Sequence, residues 1–329
     1  MTRQNKEGYI PSETANLSKL PSIKGYNYEK AFDLVDFIKA YGTTGIQASH
    51  LASGVEILKA MRRENATIFL SYTSNMVSSG VREALCYLVK HKLVHALITP
   101  AGGIEEDFLK CFGSFRLGNF STNGKHLFES GVNRIGNIFV TNDFYAYFEK
   151  AFHTILDECG DSDTPPSVTD ITRAMGLYTA KLENYEDSIL YWAAKNDIPV
   201  FSPAFTDGSI GDIIYFHRQK KKDFFVDIAQ DMDLIVNLAL NAHRTGIVAL
   251  GGGSAKHYAL NAQIFREGCD FAVFVNTHDG EDASDSGANP SEAITWAKLK
   301  PDAPHVKIIS DASIVFPLLV AAGFKEARE

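Results

Sequence analysis

Short apolar runs alternate with longer amphipathic stretches along most of this chain. Each apolar run has the length of a strand, and most of them lead into polar or glycine-rich residues. The strand-like runs are residues 66–72, 95–100, 133–140, 198–203, 246–253, 270–277 and 306–313. Strands that alternate with helices favour a parallel sheet covered on both faces. The pattern therefore predicts an α/β fold, with a doubly wound, mostly parallel sheet and helices on both faces.

The stretches between these runs carry helical periodicity and helix caps. We expect helices at residues 28–41, 46–61, 78–92, 143–159, 212–222 and 226–243, with Asn27 and Asn142 as two of the caps. Residues 101–107, AGGIEED, are predicted to form a loop. The first 26 residues are polar and contain two prolines. We therefore expect a mobile N-terminal arm at 1–26, followed by a single domain at 27–329.

Composition narrows the class of protein. Of the 329 residues, 45% are hydrophobic and 22% charged, as in a soluble globular protein, and neither a signal peptide nor a membrane span is expected. The four cysteines form no CxxC pair, and no HExxH occurs, so we expect no metal. A net charge of −8 argues against a nucleic-acid partner and suits a cationic ligand. A cytoplasmic protein is the simplest interpretation.

Ligands of such sheets bind beyond the carboxyl ends of the strands. Gly251, Gly252 and Gly253 follow a predicted strand there, but Lys256 stands where the dinucleotide fingerprint needs its third glycine. A phosphate site and a simple tight turn both remain open. Acidic residues follow other strands, where they could bind ribose hydroxyls, bind amines or cap helices: Glu105, Glu106, Asp207 and Asp212.

The stretch 282–298, DASDSGANPSEAITWAK, combines a polar loop with a short helix. Asn289 or Ser291 can cap this helix, and Pro290 suits its start. Glu292 and Trp296 share one helical face, whereas Lys298 points elsewhere unless the helix ends before it. Two interpretations follow: a solvated surface helix, or an anionic pocket with an aromatic wall and an amine inside. No GxSxG elbow is present, so lysine is the candidate nucleophile.

Several longer motifs, taken in order, resemble the deoxyhypusine synthase family. The matching segments are YTSNMVSSG (72–80), TPAGGIEEDFLKC (99–111), NRIGN (133–137), IPVFSPAFTDGSIGD (198–212), LGGGSAKH (250–257), SDSGANPSEAITWAK (284–298) and DASIVFPLLVA (311–321). Lys298 stands at the position of the family's imine-forming lysine. The resemblance implies a Rossmann-like, NAD-binding fold and a homotetramer with sites at the dimer interface.

The resemblance also implies an activity: NAD-dependent transfer of the aminobutyl group of spermidine to a lysine of the translation factor 5A precursor. Lys298 would carry the imine, and His257 would position or shuttle a proton. The positions that match cofactor contacts are Ser74, Asn75, Met76, Val77, Ser78, Pro100, Ala101, Gly102, Glu106, Asp207, Gly252, Thr277, Asp282, Ser286, Asp311 and Ala312. Those that match polyamine contacts are Glu105, Glu106, Asp212, His257, Asn261, Ala283, Ser284, Asp285, Glu292 and Trp296.

Some positions depart from the family pattern. Ala283 and Ala297 stand where the family usually has glycine, which bears on pocket volume and polyamine preference. Two alternatives stay open from the residues alone. A homospermidine synthase has similar fold and chemistry but uses putrescine as acceptor. A non-catalytic paralogue would activate a partner subunit, although the presence of Lys298, His257 and Glu292 argues against it.

Overall fold

A computed structural model describes residues 15–161, 163–278, 280–281 and 283–325. Its strands are β1 (Thr67–Tyr72), β2 (Ala96–Ile98), β3 (Arg116–Leu117), β4 (Val132–Ile135), β5 (Ile138–Thr141), β6 (Val200–Phe201), β7 (Thr245–Leu250), β8 (Phe271–Asn276) and β9 (His305–Ile309). Its α-helices are α1 (Leu34–Ala40), α2 (Ile46–Arg63), α3 (Asn75–Ser78), α4 (Arg82–Lys90), α5 (Ala101–Leu109), α6 (Gly124–Glu129), α7 (Asn142–Gly160), α8 (Val168–Thr179), α9 (Ile189–Asn196), α10 (Ser209–Lys220), α11 (Ile228–Asn241), α12 (Gly253–Asn261), α13 (Pro290–Thr295) and α14 (Ala312–Leu319). Shorter helical turns cover Tyr41–Thr43, Tyr185–Asp187, Ile264–Arg266 and Val320–Lys325.

Six strands form one parallel sheet in the order β6-β2-β1-β7-β8-β9. Counted along the chain, this is the 3-2-1-4-5-6 order of a doubly wound dinucleotide-binding fold. The direction of winding reverses between β1 and β7, which opens a crevice at their carboxyl ends. The predicted fold class is confirmed, and the crevice is the expected place for a ligand.

Both faces of the sheet are buried because alternate residues of each strand feed different cores. Ile68 and Val248 point into a large core that includes α2, α4, α8 and α14. Phe69 and Ile247 point into a smaller core with α11, α12 and α13. The strands therefore have continuous apolar sequences rather than an alternating pattern. This arrangement places α12 and α13, which carry His257 and lead to Lys298, on the same face of the sheet.

Three local predictions are wrong. Residues 101–107 begin helix α5 instead of forming a loop; every residue from Gly103 to Leu109 is buried, so no amphipathic pattern marks this helix. The first helix starts at Leu34, because the Asp33 side chain accepts from Asp36 N at 2.8 Å and caps it there. Residues 133–140 form an antiparallel hairpin, β4 and β5, in which Gly136 has a φ of 60°.

Other boundaries shift by a few residues. The predicted helix 78–92 divides into α3 and α4, and the cap of α7 is Thr141 rather than Asn142. The hairpin joins β3 in a separate three-stranded sheet. Residues 15–25 are exposed and form no helix or strand, while the rest of the predicted arm, 1–14, lies outside the described residues. No helix in the described part of the chain is long and apolar enough to cross a membrane.

Candidate active site

The end of α13 determines where Lys298 lies. Asn289 precedes Pro290 as the N-cap, and the helix ends at Thr295 with Trp296 as its C-cap. Ala297 has a φ of 54°, and the Lys298 N–H donates to the Ala293 carbonyl at 2.9 Å. This is a Schellman ending, in which a left-handed residue reverses the chain. The helix thus ends before Lys298, which is only 9% exposed.

Ala297 adopts this conformation at an energetic cost. A left-handed backbone brings Cβ close to the following carbonyl, which costs an L-residue about 1 kcal/mol that glycine does not lose. Ala283 is also left-handed, with a φ of 57°. These are the two positions at which the sequence departs from the glycine of the resembled family. In this chain the backbone keeps a glycine-like conformation at both positions despite the methyl groups.

A cavity of about 760 Å³ lies beside the end of α13. Its polar side chains come from α12, from the turn before α13, and from α13 and the residues that follow it. The cavity brings together seven of the residues predicted for catalysis or polyamine binding: His257, Asn261, Ala283, Asp285, Glu292, Trp296 and Lys298. The Lys298 ammonium lies 5.9 Å from the centroid of the Trp296 ring, which is 64% exposed. The pocket interpretation of this stretch therefore accounts for Lys298 better than a solvated surface helix does.

The apolar walls of the cavity were not anticipated. Met232 comes from α11, Ile264 and Phe265 from the turn after α12, and Phe274 from β8. Apolar residues on helices and strands usually indicate core, so nothing in their sequence pattern marks them as pocket residues. Phe265 is 57% exposed and stands at the rim of the cavity. The cavity thus combines acidic groups with aromatic and aliphatic walls.

Asp285 has one satisfied and one unsatisfied carboxylate oxygen. Its Oδ1 lies 3.2 Å from His257 Nδ1. Its Oδ2 is buried and has no hydrogen-bond partner among the described residues. A buried carboxylate oxygen without a donor loses its hydration and gains nothing in return. Because Asp285 lines the cavity, a cationic ligand there could supply the missing donor.

The described residues among the predicted cofactor contacts lie along the carboxyl edge of the sheet, on both sides of the crevice between β1 and β7. They follow carboxyl ends of strands: Ser74 to Ser78 after β1, Pro100 to Gly102 and Glu106 after β2, Asp207 after β6, Gly252 after β7, Thr277 and Ser286 after β8, and Asp311 and Ala312 after β9. Asp282 lies outside the described residues. Lys110 holds the segment after β1, donating to the carbonyls of Val77 at 2.7 Å and Ser79 at 3.1 Å.

Close backbone packing shapes this crevice so that it suits a dinucleotide. A Cβ added to Gly102 would lie 2.9 Å from the Ser74 Cβ, and one on Gly252 would lie 2.3 Å from the Ser286 Cα. Gly251 has a φ of 83°, which favours glycine. Glycines thus let the segments after β1, β2, β7 and β8 approach each other, leaving backbone amides at the start of α12 for a phosphate. The residues present fit a dinucleotide cofactor.

Glu105 and Glu106 lie beside this crevice, and burial raises the pKa of each to about 7. Glu106 accepts from the Ser78 hydroxyl, and Glu105 accepts from the Ile210 N–H at 2.7 Å. Proximity of the two carboxyl groups adds to the rise at Glu106. Neither residue lines the cavity around Lys298, nor do Asp212 and Ser284. One chain therefore does not bring all the predicted polyamine residues together.

We expect Glu106→Gln to stabilise the ligand-free protein more at about pH 8 than at about pH 5. The Glu106 pKa is about 7 in the folded protein against an ordinary value of 4.5. Protonated Glu106 therefore stabilises the fold fully below pH 4.5, and this stabilisation is lost as the pH rises through about 7. That loss is roughly 3 kcal/mol, and glutamine avoids it. Differential scanning calorimetry at the two pH values measures the effect. Exposed Glu158→Gln is the control, and an equal change in Tm at both pH values for Glu106→Gln would contradict the prediction.

Comparison with known proteins agrees with this geometry. A sequence model of the deoxyhypusine synthase family matches residues 36–323. A deoxyhypusine synthase of Senecio vernalis is 41% identical over 93% of this chain and 90% of its own length. Homospermidine synthase 2 of the same plant is also 41% identical, over 100% of this chain and 98% of its own length.

A solved structure supports the same relationship. The crystal structure from Entamoeba histolytica that is assigned as a deoxyhypusine synthase is 30% identical in sequence. It superimposes with a TM-score of 0.63, covering 92% of this chain and 96% of its own. The family match spans the sheet, the crevice and the Lys298 cavity. This chain belongs to the deoxyhypusine synthase family and is an enzyme of the transferase class.

Proposed function

We propose that this enzyme transfers the aminobutyl group of spermidine, with NAD as cofactor, to a lysine of the translation factor 5A precursor through an imine on Lys298. The observation that carries the proposal is the placement of Lys298. It is a largely buried lysine in a cavity that also contains the carboxylates of Asp285 and Glu292 and has aromatic and aliphatic walls. Such a cavity complements a molecule that alternates ammonium groups with methylene chains.

The acidic groups account for polyamine binding. Asp285 offers its unpartnered Oδ2, and Glu292 lies in the first turn of α13 in the same cavity. Charge-assisted hydrogen bonds from ammonium groups to these carboxylates would hold the ends of the substrate. Trp296 and Phe265 provide apolar surface for the methylenes, and an aromatic face also attracts a cation. Together they would set the position of the aminobutyl group against Lys298.

Lys298 acts as the nucleophile. Its neutral amine forms an imine with the oxidised aminobutyl group and releases the diaminopropane remainder of spermidine. The amine of the acceptor lysine then attacks the imine carbon, forms a new imine with the aminobutyl group and releases Lys298. Bound NAD would supply the hydride acceptor for the first oxidation and return the hydride to the final imine, so the overall transfer involves no net redox change.

His257 is the proton carrier that the cavity provides. Its Nδ1 faces Asp285, which orients the ring and leaves Nε2 for proton exchange with the reacting amines. Glu106 would contribute on the cofactor side, since burial raises its pKa to about 7 and leaves a carboxyl group able to donate as well as accept. The residues from Ser74 to Ser78 and Gly252 would hold the dinucleotide.

The enzyme works as a homotetramer whose sites are completed across a dimer interface. Two features support this part of the proposal. Glu105, Glu106 and Asp212 match polyamine contacts but do not line the Lys298 cavity of their own chain. Large apolar side chains, Trp296 and Phe265, are exposed at the rim, as expected of a surface that another protein covers.

A homospermidine synthase is the second candidate, because a plant enzyme of that name is as similar to this chain as the deoxyhypusine synthase of the same plant. The two activities differ in the acceptor alone. Incubation with NAD and spermidine labelled in the aminobutyl group, with either the factor 5A precursor or putrescine, separates them. We expect label on the protein lysine. Label in homospermidine alone would establish the second candidate, and no transfer to either acceptor would indicate a non-catalytic paralogue.

A further inference from the structure

Buried side chains hold the turn formed by residues 285–288. Each of the four carbonyl groups of this turn accepts a hydrogen bond from one of these side chains. Lys256 donates to Asp285 O at 2.6 Å and to Ala288 O at 3.4 Å. Asn276 donates to Ser286 O at 2.7 Å, and Lys307 donates to Gly287 O. The donors come from α12, β8 and β9, so the turn is tied to three separate elements.

Lys256 is unusual among these donors because it is only 2% exposed and its ammonium spans both ends of the turn. The same ammonium lies 4.9 Å from the centroid of the Phe274 ring. Burial lowers the pKa of this lysine, while the charge of Asp285 opposes the fall. Burying a charged ammonium costs free energy of folding, and the hydrogen-bond partners of this one are backbone carbonyls rather than a carboxylate.

The position of Lys256 in the sequence adds to this observation. It directly precedes His257 on α12, and His257 Nδ1 lies 3.2 Å from Asp285 Oδ1. Lys256 therefore links helix α12, which carries His257, to the backbone of Asp285, the residue that His257 contacts. If the turn shifted, the carboxylate would move relative to both His257 and Lys298. Fixing the backbone next to a flexible carboxylate reduces the number of positions that its oxygens can take.

We propose that Lys256 is a positioning residue, which fixes the Asp285–Ala288 turn through its carbonyls so that Asp285 holds His257 with one oxygen and presents the other to the polyamine. The consequence for catalysis rests on the proposed function, whereas the fixation of the turn does not. Lys256 lines the cavity, but its ammonium is bound to the carbonyls of the turn rather than offered to the substrate. It acts through Asp285, and Lys307 bonds to the same turn from β9.

Lys256→Met tests the proposal because methionine keeps most of the length of the chain and removes the donors and the charge. We expect the KM for spermidine in spermidine-dependent NADH formation to rise about 10- to 100-fold, with the KM for NAD changed less than about 2-fold. Lys307→Met should raise the same KM for spermidine. We also expect faster amide hydrogen exchange in peptides that cover the Asp285–Ala288 turn, measured by mass spectrometry without ligands.

Lys221→Met is the control, since the Lys221 ammonium lies 2.7 Å from Asp157 Oδ1 at the end of α10, and Lys221 neither lines the Lys298 cavity nor matches a cofactor or polyamine contact. It should leave hydrogen exchange at the Asp285 turn and the KM for spermidine unchanged. An equal rise in the KM for spermidine in Lys221→Met, or unchanged exchange at the turn in Lys256→Met, would overturn the proposal. If Lys256→Met shows faster exchange at the turn but the wild-type enzyme does not use spermidine, the proposed function is refuted and the positioning role of Lys256 is not.

Discussion

Replacing Lys298 by alanine is expected to abolish transfer of the aminobutyl group, lowering its rate by about 10³-fold or more. The variant has no amine to form the imine. Among the described residues that line the cavity, the remaining lysine is Lys256, and its ammonium is bound to the carbonyls of the Asp285 turn. Spermidine-dependent NADH formation should persist at a reduced level, because oxidation of spermidine precedes imine formation. Label transfer and NADH absorbance, followed on the same sample, separate the two steps.

Lys300→Ala provides the control for this experiment. Lys300 lies two residues further along, and its ammonium bonds to Asp270 at 2.7 Å outside the cavity. Its loss should leave transfer intact while weakening that ion pair. Undiminished transfer by Lys298→Ala would refute the covalent role of Lys298. Equal loss of NADH formation and transfer would instead place Lys298 in substrate binding.

Asp285→Asn is expected to lower kcat/KM for spermidine by about 100-fold. The substitution keeps the shape of the side chain but removes the charge that binds the substrate ammonium and orients His257. A hydrogen bond to a charged group contributes about 1.5–3 kcal/mol, and each 1.4 kcal/mol corresponds to a tenfold change. Steady-state NADH formation at several spermidine concentrations measures the effect.

Two comparisons define the meaning of that loss. Asp302→Asn removes an exposed carboxylate that does not line the cavity and should leave kcat/KM unchanged. The Asp285→Asn protein should also bind NAD as the wild type does, since its crevice is unaltered. A wild-type kcat/KM for spermidine in Asp285→Asn would exclude this carboxylate as a polyamine ligand.

The fold could be predicted from the sequence because its strands are buried on both faces. Runs such as 246–250 and 271–275 stay apolar at every position, and helices of ordinary length separate them, which is the pattern of a parallel sheet. Helix α5 could not be predicted in the same way. It is buried on all sides, so its sequence lacks the alternation of polar and apolar faces by which a surface helix is recognised.

The candidate site, like the fold, could be predicted from the sequence only in part. The resemblance of the ordered motifs to the deoxyhypusine synthase family indicated Lys298, His257, Asp285, Glu292 and Trp296 as members of one site, because motifs and their order are properties of the chain itself. Their arrangement depended on contacts distant in sequence. The left-handed Ala297 ends α13 and places Lys298, while α11 and the turn after α12 supply the apolar walls. The hydrogen bonds of Lys256 that fix the Asp285 turn join residues 29 and 32 positions apart. Burial and hydrogen bonding of this kind arise only when separate elements pack together, and so only the tertiary structure decided them.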